Sequence, residues 1–177
     1  MDDRALIAAI RSGHPEAFAW FIAGFGAIVH GLCFRMMRHQ QDAEDLTQET
    51  FLRAFQALDR FDSDRPIRPW LLQIAANRCR TALASRTQGL VVADLTWETP
   101  DPRPGLLDPD DLSGELDRAI ERLRPDYRLA FTLFHEQGLP YEEIAEILDR
   151  PTGTVKSWLH RARIELADDL GRRGIRC

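Results

Sequence analysis

Residues 139–166 read LPYEEIAEILDRPTGTVKSWLHRARIEL, two helical patterns interrupted at Asp149-Arg150-Pro151-Thr152. Ile144, Ala145 and Leu148 make an apolar stripe on the first pattern. Val155, Leu159, Ala162 and Leu166 recur at i, i+4, i+7 and i+11 on the second, which is one face of a helix. The interruption has the length that joins the two helices of a helix-turn-helix. With the apolar face of the second helix turned inward, its other face is settled. It carries Lys156, Ser157, His160, Arg161 and Arg163, gathered toward the half of the helix that enters the major groove in this motif. Such side chains read guanine edges or grip phosphates, and both roles stay open here. A plain solvated cationic face is the alternative, but the turn, the stripe and Gly153-Thr154 together favour DNA binding. Trp158, at the border of stripe and basic face, is expected to pack. Pro140 stands where Ser or Thr would ordinarily cap the first helix.

Working outward from this motif, the pattern stays helical and no strand-period alternation competes with it, so the fold class is all-α. Helices are expected near 3–11, from His14-Pro15 to about Arg38, from Asp42 to about Leu58, and from Ile67 to about Ser85. Others follow from about Glu115 to Leu123, after Pro125, over Tyr141–Leu148 and from Thr152 to about Leu170. Between the two groups, residues 87–113 hold four prolines and an acidic excess. A stretch of that length and composition reads as a flexible acidic linker. Two small helical domains, 1–86 and 114–177, are therefore expected on either side of it.

The net charge of −5 argues against a nucleic-acid partner until its distribution is followed along the chain. Residues 87–117 hold one basic and eight acidic side chains, whereas 65–86 hold five arginines and no acid, and 150–177 hold seven basic and three acidic. The two positive islands are electrostatic footprints for phosphate backbones. Cys33, Cys79 and Cys177 are odd in number and lack short spacing, which points to a reducing cytoplasm rather than a disulfide framework. The N-terminus opens with acids instead of the basic start of a signal peptide, and no window is expected to reach the apolar length of a membrane span.

The N-terminal half decides between a general helix-turn-helix regulator and something narrower. On the helix from Asp42, Leu46, Phe51, Ala54, Phe55 and Leu58 supply apolar contacts. Asp42, Asp45, Gln48 and Glu49 gather on another surface, suited to a basic partner. DAEDLTQETFLRAFQALDRF (42–61) followed by RPWLLQIAANRCRTAL (68–83) closely resembles region two of extracytoplasmic-function (ECF, group 4) sigma factors of the sigma-70 family. The motif at 139–166 resembles their region four. Both lie in the right order across a linker, and with flanking helices they cover nearly the whole chain.

The resemblance implies a subunit that binds core RNA polymerase and directs initiation at promoters. Asp42, Asp45, Gln48 and Glu49 would dock on the basic clamp helices of the largest catalytic subunit, with the polymerase flap receiving region four. Ala57, Phe61, Ile74 and Asn77 match positions that hold a base flipped from the nontemplate strand of the minus-ten element. Arg65, Arg68, Arg78 and Arg80 would clamp the backbone there. Lys156, Ser157, His160 and Arg161, with Arg163 beside them, would meet the minus-thirty-five element. Trp70 is expected in the core, and the aromatic residue often found three positions before it is Ile67 here. The linker would run through the polymerase's RNA path, and an anti-sigma protein is an expected partner.

No catalytic motif is present: there is no Gly-rich phosphate loop, HExxH or nucleophile elbow, so the chain is not expected to be an enzyme. His30, Cys33 and His39 lack the paired spacing of zinc ligands, and no cofactor or metal is expected. Two other readings remain at this stage. A conventional helix-turn-helix regulator would bind duplex DNA without polymerase, and an adaptor would bind a basic partner through the acidic helix without promoter specificity.

Overall fold

The structure, a computed structural model, describes residues 2–90 and 112–175, and those residues form eight α-helices and no strand. The first four are α1 (Asp3–Arg11), α2 (Ala17–Met37), α3 (Gln40–Ala57) and α4 (Ile67–Leu90). The others are α5 (Leu112–Arg122), α6 (Pro125–Phe131), α7 (Tyr141–Leu148) and α8 (Thr152–Arg172). The boundaries follow local chemistry. Arg38 takes a left-handed conformation (φ 55°) after α2 and its N–H reaches the carbonyl of Phe34. The His39 ring accepts from the amide of Asp42, which starts α3 two residues before the expected Asp42. Pro125 opens α6, where its missing N–H costs no intrahelical bond. A π-helical turn, Thr132–Glu136, prolongs α6.

The linker expected over 87–113 is corrected at both margins: α4 continues through Leu90, and α5 begins at Leu112. The first proline after α4 is Pro100, so nothing in 87–90 bars the helix from continuing. The rest of the expected linker, like Cys177, lies outside the described residues.

α2 corrects a second expectation, because residues 17–37 are long and apolar enough, by length and composition, to cross a membrane. In the fold it is instead the helix against which α1, α3 and α4 pack, with Phe21, Val29, Leu32 and Cys33 fully buried. Cys33 and Cys79 are free thiols on α2 and α4, with their sulfurs 3.9 Å apart. The hydrogen bond to Cys33 and the burial of the pair push the Cys79 thiol up, which keeps it protonated and inert. His30 stacks on Phe34 and His39 caps α3, so His30, Cys33 and His39 serve three separate partners.

The two helical groups share a core. Leu129, Leu133, Ile144, Ile147 and Leu148 of the second group belong to the same buried cluster as Phe21, Leu32, Met36, Leu71 and Leu72 of the first. A smaller cluster, in which Ile120, Leu123 and Tyr127 meet Ala162, Leu166 and Leu170, closes the second group on itself. α7 lies along α4, which sets the distance between the positive islands read in the sequence.

Candidate polymerase and nucleic-acid interfaces

α3 presents the acidic surface. Asp45 and Gln48 are exposed, and Leu52, one helical turn further, is 60% exposed. The apolar residues named from the sequence face inward or partly so, and Leu52 was not among them. Its position three and four residues beyond Glu49 and Gln48 was the available signal. Asp42 and Glu49 are half-buried and already paired. Asp42 meets Arg86, while Glu49 meets Arg53 and Arg78 at 3.0 Å each. Arg78 and Arg86 therefore stand apart from the other three arginines of their island, turned to the acidic face of α3.

Between α3 and α4 the chain makes a short 3₁₀ turn, Leu58–Arg60, and then the loop 61–66. The Phe61 ring lies 4.6 Å from that of Trp70, and both line a cleft of about 860 Å³. Arg65, Gln73, Glu143 and Glu146 add polar groups to its walls. Trp70 is thus both packed against the core, as expected, and exposed to this cleft. Of the residues matched to the minus-ten element, the structure brings Phe61 and Arg65 together at the cleft. Asn77 is exposed further along α4, while Ala57 and Ile74 are half-buried and do not line the cleft.

The other three arginines of this island are held by the second helical group. Arg65 pairs with Glu146 at 2.8 Å. Arg68 donates to the backbone carbonyl of Gln137 at 2.6 Å and to its side-chain oxygen at 3.2 Å. Arg80 donates to the carbonyl of Leu148 at 3.4 Å, and Gln73 to that of Glu146 at 3.1 Å. The last two acceptors sit at the C-terminal end of α7, where helix carbonyls lack intrahelical partners and the dipole favours donors and cations. On the far side, Arg35 bridges Asp117 (2.6 Å) and Glu136 (2.7 Å). None of these long-range partners was read from the sequence.

The helix-turn-helix forms as its spacing predicts. Asp149 takes the left-handed conformation (φ 52°) and the N–H of Arg150 reaches back to the carbonyl of Ala145 at 3.0 Å, closing α7 and turning the chain into α8. Pro140 occupies the cap of α7 without a side-chain bond, its carbonyl still taking the amide of Ile144. Lys156, Ser157, His160, Arg161 and Arg163 are all exposed along one side of α8. Their contacts stay within the second helical group. The Lys156 ammonium sits 5.5 Å over the Tyr141 ring and the Arg163 guanidinium 5.5 Å over that of Phe134. Arg161 donates to the Tyr127 hydroxyl at 3.2 Å, and Ser157 donates to the Gly153 carbonyl. Trp158 is half-buried against both clusters, a packing residue.

Comparison with known proteins agrees with this layout. Residues 15–88 match the family model for Sigma-70 region 2, and residues 113–166 match that for Sigma-70, region 4. The RNA polymerase sigma-H factor of Pseudomonas aeruginosa is 30% identical over 174 residues, which span 91% of this chain and 90% of that protein. The ECF RNA polymerase sigma factor SigW of Bacillus subtilis is 33% identical, over 91% of this chain and 92% of its own. Among solved structures, CnrH in complex with the cytosolic domain of CnrY superposes with a TM-score of 0.71 at 27% identity, covering 97% of this chain and 99% of that one. The sigma factor RpoE of Bartonella quintana, in complex with the anti-sigma factor NepR, gives 0.73 at 25% identity, over 88% of this chain and 98% of its own. With both regions matched in order and the relatives covered almost end to end, the chain belongs to the extracytoplasmic-function group of the sigma-70 family of RNA polymerase sigma factors.

Proposed function

We propose that this sigma factor divides its work among the surfaces just described: the α3 face binds core polymerase, the loop 58–67 with α4 reads the minus-ten element, and α8 reads the minus-thirty-five element. The chain does no bond chemistry. It redirects the polymerase, and its contribution to opening DNA is binding energy for the unpaired strand. One observation carries the reading: Asp45, Gln48 and Leu52 are all exposed on one face of α3, an acidic surface with an apolar centre left open to a basic partner. Asp42 and Glu49 would join it by exchanging their present arginine partners for polymerase cations.

At the minus-ten element, an extruded base costs a few kcal/mol to unstack, and stacking on an aromatic wall such as Trp70, which the buried Phe61 backs, returns about 1–3 kcal/mol per base. Arg65, Arg68 and Arg80 would hold the backbone beside it, with Ala57 at the end of α3 and Ile74 and Asn77 on α4 completing the strand's path. For that, their contacts with Glu146, Gln137 and Leu148 must be released, so the helical groups must part when holoenzyme forms. Lys156, Ser157, His160, Arg161 and Arg163 would meet duplex DNA with the second group as it stands. The complexes of CnrH and of the Bartonella RpoE support a further partner for this chain, an anti-sigma protein in the cytoplasm.

The test is reconstituted transcription with bacterial core polymerase. Asp45→Arg puts a cation against a basic partner, a like-charge contact costing several kcal/mol, so core affinity should fall about 100-fold or more. Discrete start sites should appear with the wild-type protein and vanish with the variant. Unchanged core binding by Asp45→Arg would remove α3 from the polymerase contact.

A further inference from the structure

α1 contributes nothing to the surfaces assigned above, yet its polar side chains converge on one feature, the loop between α3 and α4. Arg11, its last residue, donates through Nη2 to the carbonyls of Leu58 (2.9 Å) and Asp59 (3.3 Å) and also to the carbonyl of Phe61. Asp3, its first residue, accepts the amide of Ile67 at 3.2 Å. Arg4 pairs with Asp64 at 2.9 Å between them. One short helix thus touches the loop at its beginning, middle and end.

Each contact ties a different part of the loop to α1. The Leu58 carbonyl already takes the amide of Phe61, and Arg11 adds a guanidinium that gathers it with the carbonyls of Asp59 and Phe61, fastening the turn to α1. The residue before α4 is Pro66, which offers no side-chain acceptor to the free amides of the first turn, and Asp3 supplies the carboxylate from another helix. Leu6, Ile7 and Ile10 bury the apolar face of α1, which fixes the helix and therefore the spacing between Asp3 and Arg11. Eight residues at 1.5 Å rise set those two anchors about 12 Å apart along a rigid rod. The Arg4–Asp64 pair is exposed at both ends and adds little.

We infer that α1 is a strut for the minus-ten loop, with Arg11 and Asp3 as positioning residues that set where Phe61 stands and hence how selectively the unpaired base is held. The inference rests on the reading that this loop receives the minus-ten strand. Arg11 acts on the base only through the backbone of Phe61, which in turn carries the ring facing Trp70. An error of about 1 Å in such a wall is enough to degrade recognition without unfolding the domain.

The experiment uses holoenzyme made with the full chain and a promoter library randomised across the minus-ten and minus-thirty-five elements, read by sequencing transcripts. Arg11→Met keeps the side-chain stem but none of the three donations. Asp3→Asn keeps an acceptor oxygen, and Asp3→Ala does not. Arg11→Met should lower output from the preferred minus-ten sequence about tenfold and flatten its base preference, a charged hydrogen bond being worth that order. Minus-thirty-five preference and core affinity should stay within about twofold on the same grounds, because neither surface is touched. Asp3→Ala should flatten the minus-ten preference and Asp3→Asn should restore it, and this pair decides the matter if Arg11→Met folds poorly.

Phe61→Ala separates the two levels. Flattening by Phe61→Ala with full selectivity retained in Arg11→Met and Asp3→Ala would overturn the strut while leaving the loop assignment standing. No change in Phe61→Ala would overturn the loop assignment and the strut with it. Equal losses at both promoter elements and in core affinity would reduce α1 to ordinary structural support.

Discussion

The two positive islands of this sigma factor meet solvent in opposite ways. Along α8, Lys156, Ser157, His160, Arg161 and Arg163 are exposed, and their contacts stay within their own helical group. On the first group, Arg65, Arg68 and Arg80 bond to Glu146, Gln137 and Leu148 of the second. The acceptors that hold them are a carboxylate and helix-end carbonyls, the same chemistry that a phosphodiester backbone presents. Of the two proposed DNA surfaces, one therefore stands ready, and the other is occupied until the groups separate. The difference lies in partners rather than residue type, since arginine dominates both islands.

The comparison breaks most visibly on the exposed side. Lys156→Ala with Arg161→Ala removes two cations from α8, and each specific base or phosphate contact is worth about 1–3 kcal/mol, so use of promoters with an intact minus-thirty-five element should fall about 100-fold. Holoenzyme transcription against salt concentration checks this. Loss of two phosphate contacts would flatten the salt dependence, whereas loss of base readout would relax sequence preference at constant slope. Unchanged output would mean that α8 is exposed for another purpose.

On the occupied side the expected effect is smaller. Glu146→Arg turns the pair with Arg65 into a repulsion. Both side chains are about two-thirds exposed, so the pair contributes at most about 1 kcal/mol, and its loss should strengthen binding of the free chain to a single-stranded minus-ten oligonucleotide about fivefold. Fluorescence anisotropy with free sigma factor measures it. Equal affinity in both proteins would show that the arginines are not masked in solution.

How much of this was legible beforehand follows the range of each interaction. The helix-turn-helix, its apolar stripe and its exposed basic face are encoded within 28 consecutive residues, and all of them stand where their spacing put them. Asp45 and Gln48 were legible for the same reason. Leu52 was missed although its helical spacing beyond Gln48 and Glu49 was plain, because an exposed leucine carries no charge or polar group to draw attention to it. The limits of the linker moved because continuation of α4 needs only the absence of proline, a weaker signal than the prolines that follow. Arg65 with Glu146, Arg35 with Asp117 and Arg11 with Leu58 join positions 81, 82 and 47 residues apart. No periodicity in one sequence specifies such pairs, and the dual placement of Trp70, core on one side and cleft on the other, depends on them.

The smallest effect is the most informative about what holds the occupied side closed. Among the described residues, the inter-group ion pairs of Arg35 with Asp117 and Glu136, Arg38 with Glu121, and Arg65 with Glu146 lie partly or largely in solvent. Raising salt from about 0.1 M toward 1 M shortens the screening length from about 10 Å to 3 Å and should weaken each by a fraction of a kcal/mol. The apolar seam, where Leu129, Leu133, Ile147 and Leu148 join the core of the first group, is untouched or strengthened by the same change. Small-angle scattering of the free chain should therefore show little expansion with salt. If the radius of gyration instead rises toward that of two separated bodies, the ion pairs hold the groups together and the seam is minor. Release of Arg65 would then follow from screening of its pair with Glu146, while Arg68 and Arg80 would still have to leave the neutral carbonyls of Gln137 and Leu148.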